Sequence, residues 1–224
     1  VMGFPVIHAY VQMGIATDDY LKHIDEVGQI FLDHYIPHAK QAPLREGGVE
    51  ILDWLLDHNY DLAILSNFIQ EHLEDQLSQR HILHKFKYIS GNAVFGKHEH
   101  TQTTKLGRLR SILESQNYDI NSSFIVGDSL EEPELARQTG LKCISVTWGC
   151  IAKTRLENVE PDFIINSMDE MRDILGSDSF DAIYAAARRQ QGIMALLSGN
   201  FEWRNYRGIA RKAYTMLVGH PGIN

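Results

Sequence analysis

A chain of 224 residues with 44% apolar and 22% charged side chains has ample material for one large domain, or for one domain with a small appendage. A net charge of −8 excludes non-specific attraction to nucleic acid or anionic membrane as its main business, although a local basic patch is compatible with it. No apolar run approaches the roughly 18 residues of a spanning helix, the start VMGFPVIHAY lacks the basic opening of a signal peptide, and Cys143 and Cys150 show neither CxxC nor zinc-like spacing. Together these features predict a soluble cytoplasmic protein, with buried thiols and no membrane partner.

In chain order, residues 5–40 carry helical periodicity. Val6, Tyr10 and Met13 can share a face, Gly14 breaks it, and Thr17-Asp18-Asp19 reads as a new helix start. Tyr20, Ile24, Val27, Ile30, Phe31 and Tyr35 continue at helical spacing, and Pro37 and Pro43 predict a linker. Gly47-Gly48 opens a helix with Leu52, Leu55 and Leu56 on one face. Asp61 to Asn67, DLAILSN, is an apolar run with polar ends and predicts a fully buried strand. A polar helix to about Arg80, a strand at 87–91, a loop at 92–103 and a helix marked by Leu106, Leu109, Ile112 and Leu113 come next. Strands are expected at 123–127, 143–147 and 162–165, with Gly140 stopping the helix between the first two. This alternation predicts an α/β fold, a doubly wound parallel sheet.

The chemistry concentrates in Ser123 to Glu134, SFIVGDSLEEPE. A short apolar strand stops at Gly127-Asp128, and Pro133 suits the first turn of the next helix. Ligands of open α/β sheets bind at such carboxyl ends. Asp128, Glu131 and Glu132 are clustered carboxylates, which repel unless a cation lies among them, and Mg²⁺ takes a few such oxygens with water and phosphate. The stretch reads as half of a magnesium site or as an ordinary turn before an acidic helix start. Ser66 ends the strand at 61–67, and Lys105 opens the helix between the two strands. A hydroxyl at a strand tip can hold a phosphate oxygen, and a lysine can neutralise it.

Leu65-Ser66-Asn67, Lys105 and Gly127-Asp128-Ser129-Leu130-Glu131-Glu132 resemble the second, third and fourth motifs of the haloacid dehalogenase superfamily. Ala136 to Gly149, ARQTGLKCISVTWG, resembles the segment after the fourth motif in its phosphoglycolate-phosphatase-like members. The resemblance covers residues 40–167, and 5–40 more loosely as a small helical cap. It implies a Rossmann-like core at 41–175 behind a cap at 1–40, with an α-helical C-terminal extension at 176–224. It further implies that Ser66 and Asn67 bind a phosphoryl group, that Lys105 stabilises it, and that Asp128 ligates Mg²⁺ with Glu132, or in its place Glu131. The family's usual residue at the Glu132 position is aspartate. Lys97 is a rival to Lys105, which is preferred because it begins the helix.

The family's first motif, a strand ending in Asp-x-Asp that supplies the nucleophile and the acid–base, has no counterpart. Asp18, Asp19, Asp25 and Asp33 all lie in helical sequence. The expectation is that the sequence starts just past this motif, leaving the central position of the sheet without its strand; a relic that has lost its chemistry is the alternative. Gly192 to Leu197, GIMALL, could fill that position, but a helix continuing from Ala182 and Tyr184 is expected there instead. Three functions remain open: a Mg²⁺-dependent phosphomonoesterase acting on a small phosphorylated metabolite through an aspartyl-phosphate, a catalytically inactive interaction module, and a phosphomutase or C–halogen hydrolase. The acidic cluster argues against C–halogen hydrolysis, which needs no metal. The sequence as given is expected to be inactive. His98-Glu99-His100 lacks a third ligand and is read as a solvated loop, His81 and His84 as surface residues, and Trp148 as packing. The tail from Gly176 has six basic and three acidic residues with many apolar ones. It is expected to form helices against the sheet or a second copy of the chain rather than a nucleic-acid arm.

Overall fold

Asp61 to Leu65 has few polar atoms to keep wet, and it becomes the middle of strand β1 (Tyr60–Ile69), where Ile64 and Leu65 are completely buried. The computed structural model describes Val11, residues 14–93, 104–149 and 151–176, and the backbone of 191–195. Lys97, the His98-Glu99-His100 motif, Cys150 and the rest of the tail lie outside the described residues.

Five further strands join β1: β2 (Tyr88–Asn92), β3 (Phe124–Gly127), β4 (Lys142–Val146), β5 (Phe163–Ile165) and β6 (Gln191–Ala195). They form one parallel sheet in the order β2-β1-β6-β3-β4-β5. Alternate residues feed opposite faces, as the period of two requires. Leu62, Ile64, Phe124, Val126 and Ile144 join one apolar cluster, and Ala63, Leu65, Ile125 and Cys143 join the other. The first cluster is closed by α3 (Gly48–Asp57), α4 (Gln70–Gln79) and α8 (Met168–Gly176), through Leu52, Leu55, Leu73, Leu77, Met171 and Leu175. The second is closed by α5 (Lys105–Gln116) and α6 (Glu131–Thr139), through Leu109, Leu113, Leu135 and Ala136. Helices on both faces make the sheet doubly wound. Each large side chain fully buried this way gains about 1.5–3 kcal/mol. A short helix, α7 (Lys153–Glu157), crosses between β4 and β5. Gly140 ends α6 in the left-handed conformation (φ 80°), as its place in the sequence predicts.

Before the sheet stand α1 (Thr17–Lys22) and α2 (Ile24–Gln41), which contain Asp18, Asp19, Asp25 and Asp33. Here one expectation fails. Pro37 does not begin a linker but lies inside α2, which runs on to Gln41. The ring removes the hydrogen bond to the carbonyl of Asp33. Tertiary contacts outweigh that loss: Tyr35 and Ala39 are buried against Phe68 of β1, and Arg80 donates to the carbonyls of Ala39 and Ala42 at the helix end.

The tail brings a second correction. Residues 191–195, expected to continue a helix, form β6 in the middle of the sheet. Tyr60 to Ala63 pair with Gln191 to Met194 on one side, and Phe124 to Val126 pair with Ile193 to Ala195 on the other. The reason is the cost of the alternative. Two buried parallel strands with an empty position between them strand a row of N–H and C=O groups, each costing roughly 1–3 kcal/mol if dry. A short apolar segment satisfies both rows at once, which overrides any local helical preference.

Candidate functional site: three strand tips at the carboxyl edge

Ser66 and Asn67 lie near the end of β1, at the point where β1 and β2 fall out of step. Leu65 is opposite Ser90, but Ile69 is opposite Asn92, so β1 carries two more residues than its partner over this stretch. The surplus bows Ser66-Asn67-Phe68 off the ladder, as a bulge does. The buried Ser66 Oγ accepts from the Phe68 N–H at 3.1 Å, leaving the hydroxyl proton to donate elsewhere. The Asn92 amide donates to the Asn67 carbonyl at 2.6 Å, and the Asn67 amide donates to Glu131 Oε2 at 3.3 Å.

The tip of β3 is built differently, from close approach. A Cβ on Gly127 would lie 2.4 Å from Cγ of Glu132, and one on Gly149 would lie 2.1 Å from Cβ of Asp128. Only glycine lets the Glu132 side chain fold back over its own strand and lets the loop after β4 press on the buried Asp128. Glu132 is wholly buried. Its Oε2 accepts from the Ser129 N–H at 2.9 Å and from Ser129 Oγ at 2.5 Å.

Lys105 anchors the acids of the β3 tip. Thr104 caps the start of α5 by accepting from the Gly107 N–H at 3.1 Å, which fixes Lys105 as the first helical residue. Its ammonium donates to Glu132 Oε1 at 2.8 Å and to Glu131 Oε2 at 3.0 Å. Burial opposes the charge, but the carboxylates of Glu132 and Glu131 outweigh it and hold Lys105 above its ordinary value. Burial likewise opposes ionisation of Glu132, while Lys105 and Ser129 together hold it below the ordinary glutamate value. Both groups are therefore charged at neutral pH.

Asn67, Lys105, Glu131 and Glu132 are thus linked from three separate segments, with Ser66 next to Asn67 and Asp128 three residues before Glu131. Glu132 has both oxygens committed to Lys105 and Ser129, and Glu131 faces Lys105 and Asn67. Among the described residues no three His, Cys, Asp or Glu side chains form a ready metal cage. Between the tips of β1 and β3 lies β6, whose residues Gln191–Ala195 bring no carboxylate. Trp148 is half-buried beneath the Arg45 guanidinium, 4.4 Å from the ring centroid, and its indole N–H has no partner among the described residues. Sequence reading missed Arg108 and Asn92, both bonded to the bowed segment. Arg108 had a signal: it lies three residues after Lys105, which puts both on one helix face.

Comparison with known proteins bears on the family and the fold. Residues 1–146 match the family model described as haloacid dehalogenase-like hydrolase. A phosphoglycolate phosphatase of Pseudomonas putida is 21% identical over 146 residues, covering 65% of this chain and 51% of that protein. Phosphoglycolate phosphatase 1 of Pseudomonas aeruginosa is 20% identical over the same shares. The chain therefore spans about half the length of these curated relatives. Among solved structures, a haloacid dehalogenase-like hydrolase from Streptococcus pneumoniae superposes with a TM-score of 0.64 at 23% identity, over 78% of each chain. A phosphatase of the same fold from Thermococcus onnurineus gives 0.52 at 18%, over 74% of this chain and 83% of that one.

Proposed function

The chain belongs to the haloacid dehalogenase-like hydrolases, and from that premise we propose that its carboxyl-edge site holds the phosphoryl group of a small phosphorylated metabolite, as part of a Mg²⁺-dependent phosphomonoesterase site. The observation that carries the reading is the linked set Asn67, Glu131, Lys105 and Glu132: the Asn67 amide reaches Glu131 across the gap, and the buried Lys105 ammonium pairs with Glu131 and Glu132 behind it. Ser66 donates its hydroxyl proton to a phosphoryl oxygen, and the Asn67 amide stands beside it. Lys105 provides positive charge at the same place, held rigid by its two glutamates.

The donor chemistry fits Mg²⁺, which takes one or two protein carboxylates and fills the remaining positions with water and phosphate oxygens. Asp128 is the first choice. Glu131 is the second, since both oxygens of Glu132 are already in use. Bound there, the ion would neutralise phosphate charge as a Lewis acid. Hydrolysis through an aspartyl-phosphate also needs a carboxylate nucleophile. No described strand tip brings one between Ser66 and Asp128, so the chain as given binds phosphate without turning it over.

Titration with inorganic phosphate in the presence of Mg²⁺, alongside hydrolysis of an aryl phosphate, tests this reading. The expected result is saturable binding, weakened at least tenfold in Ser66→Ala or Asp128→Asn, with no turnover. Turnover abolished by Asp128→Asn would reveal a nucleophile that this reading lacks. One observation favours an interaction module on the same fold: β6 fills the central position without a carboxylate. Absence of phosphate binding would leave that reading in possession.

A further inference from the structure

Where β1 bows away from β2, carbonyl groups lose their ladder partners at a half-buried edge, where water satisfies them only in part and a side-chain donor is favoured. Arg108 of α5 does so. Its Nη1 donates to the carbonyls of Ser90 at 3.1 Å and Gly91 at 2.7 Å, and to Ser90 Oγ at 3.2 Å. Its Nη2 donates to the carbonyl of Ser66 at 3.1 Å and to Asn67 Oδ1 at 3.4 Å. One planar guanidinium therefore spans the tips of two strands at the point where they diverge.

Packing alone would not need this group. An apolar side chain of similar length could fill the space without giving up hydration of a charge. Burial does work against the Arg108 charge, and only Glu131 partly offsets it. What the guanidinium adds is a rigid fork of donors aimed at two backbones, which the single ammonium of a lysine cannot reproduce. It grips the Ser66 carbonyl and the Asn67 side chain together, so the two residues are held by one group. Lys105 and Arg108 divide the work of one helix start: the first meets the acids of the β3 tip, the second the carbonyls of the β1 and β2 tips.

We propose that Arg108 is a positioning residue, which clamps the bowed Ser66-Asn67 segment to the end of β2 so that the Ser66 hydroxyl and Asn67 amide are pre-set for a phosphate anion. The proposal rests on the phosphate-site reading, and two independent readouts on the whole chain separate them. The first is affinity for inorganic phosphate in wild type, Arg108→Met and Arg108→Lys. The second is amide hydrogen exchange at Phe68 and Gly91, whose N–H groups are held by Ser66 Oγ and Gln70 Oε1, against Ile64 and Ile125 in the strand bodies. In both variants phosphate affinity should fall about tenfold, and Phe68 and Gly91 should exchange at least tenfold faster while Ile64 and Ile125 hold. If Arg108→Met does not fold, Arg108→Lys carries the same comparison, because it keeps the charge and loses the fork. Phosphate affinity within twofold of wild type overturns the proposal, even if global stability drops, since that is what a plain structural staple would give. If wild type itself binds no phosphate, the functional reading fails on its own. The exchange data then decide only for the clamp: unchanged rates at Phe68 and Gly91 overturn it too, and selective acceleration shows a structural clamp without the phosphate role, which overturns the positioning proposal as stated.

Discussion

The tips of β1 and β3 face each other across β6 and are held by opposite means. The β3 tip is assembled from its own neighbours: Gly127, Asp128, Ser129 and Glu132 lie within six residues, and the loop at Gly149 closes over them. The β1 tip is held from a distance by Asn92 of β2 and Arg108 of α5. The local design is tight and has few substitutes for any one part. The distributed design spreads the load over several side chains. A single lesion should therefore cost more at the β3 tip than at the β1 tip.

Lys105→Met is the hardest test, because it leaves the buried Glu132 carboxylate without its cation. Breaking a buried pair this way costs about 3–5 kcal/mol, read as a shift of the urea midpoint at pH 7. Glu132 in that variant should protonate more readily, so the deficit should shrink as pH is lowered. Gly149→Ala comes next, at about 2 kcal/mol, since the added methyl overlaps Asp128 and something must move. Thermal unfolding would measure it, and loss of Mg²⁺ binding should accompany it. Ser129→Ala removes one of the two donors to Glu132 Oε2 and should cost about 1.5 kcal/mol. Ser66→Ala orphans the Phe68 N–H at a partly wet site and should cost less than about 1 kcal/mol, although it weakens phosphate binding. If Ser66→Ala destabilises as much as Ser129→Ala, the β1 tip is not the distributed structure described.

Acid sharpens the same contrast. Glu132 is held below the ordinary glutamate value of 4.5 in the folded protein. Its contribution is therefore present above that value and is lost as pH falls through the lower, folded one. Lys105 is raised, so its contribution is complete below the ordinary lysine value of 10.5 and is lost only at higher pH. Urea unfolding of wild type and Glu132→Gln between pH 7 and pH 3 should show the wild-type advantage shrinking toward the acid end. A constant difference would mean that the pair is not ionised.

The same difference in design decided what the sequence made legible. The β3 tip could be read because its parts are contiguous: an apolar run, a glycine, then acids at a helix start. The alternation of strands and helices was legible for the same reason, and it placed β1 to β5 in their observed elements. Pro37 misled because the contacts that carry α2 past it, through Phe68 and Arg80, come from residues some thirty to forty positions away. Arg108 was hard to see because its partners are mostly main-chain carbonyls, which leave no mark in a sequence. Its i, i+3 relation to Lys105 was the one available clue. β6 was misread because its five residues do not choose their own conformation; the rows of unmet hydrogen bonds on β1 and β3 choose it for them.

That strand has a consequence in time. β1 and β3 pair with β6 rather than with each other, so residue 60 must wait for residue 191 before the sheet is continuous. The β1–β2 pair and the β3–β4–β5 trio can each form early from nearby chain, but their union is a late event with a long loop to close, the kind of contact that slows folding. Until it happens, each half offers an open parallel edge to whatever strand arrives first. A folding intermediate with a native-like pair and trio and unprotected amides along Leu62 and Ile125 would be its signature, and at high protein concentration those two edges are where misassembly between chains would begin.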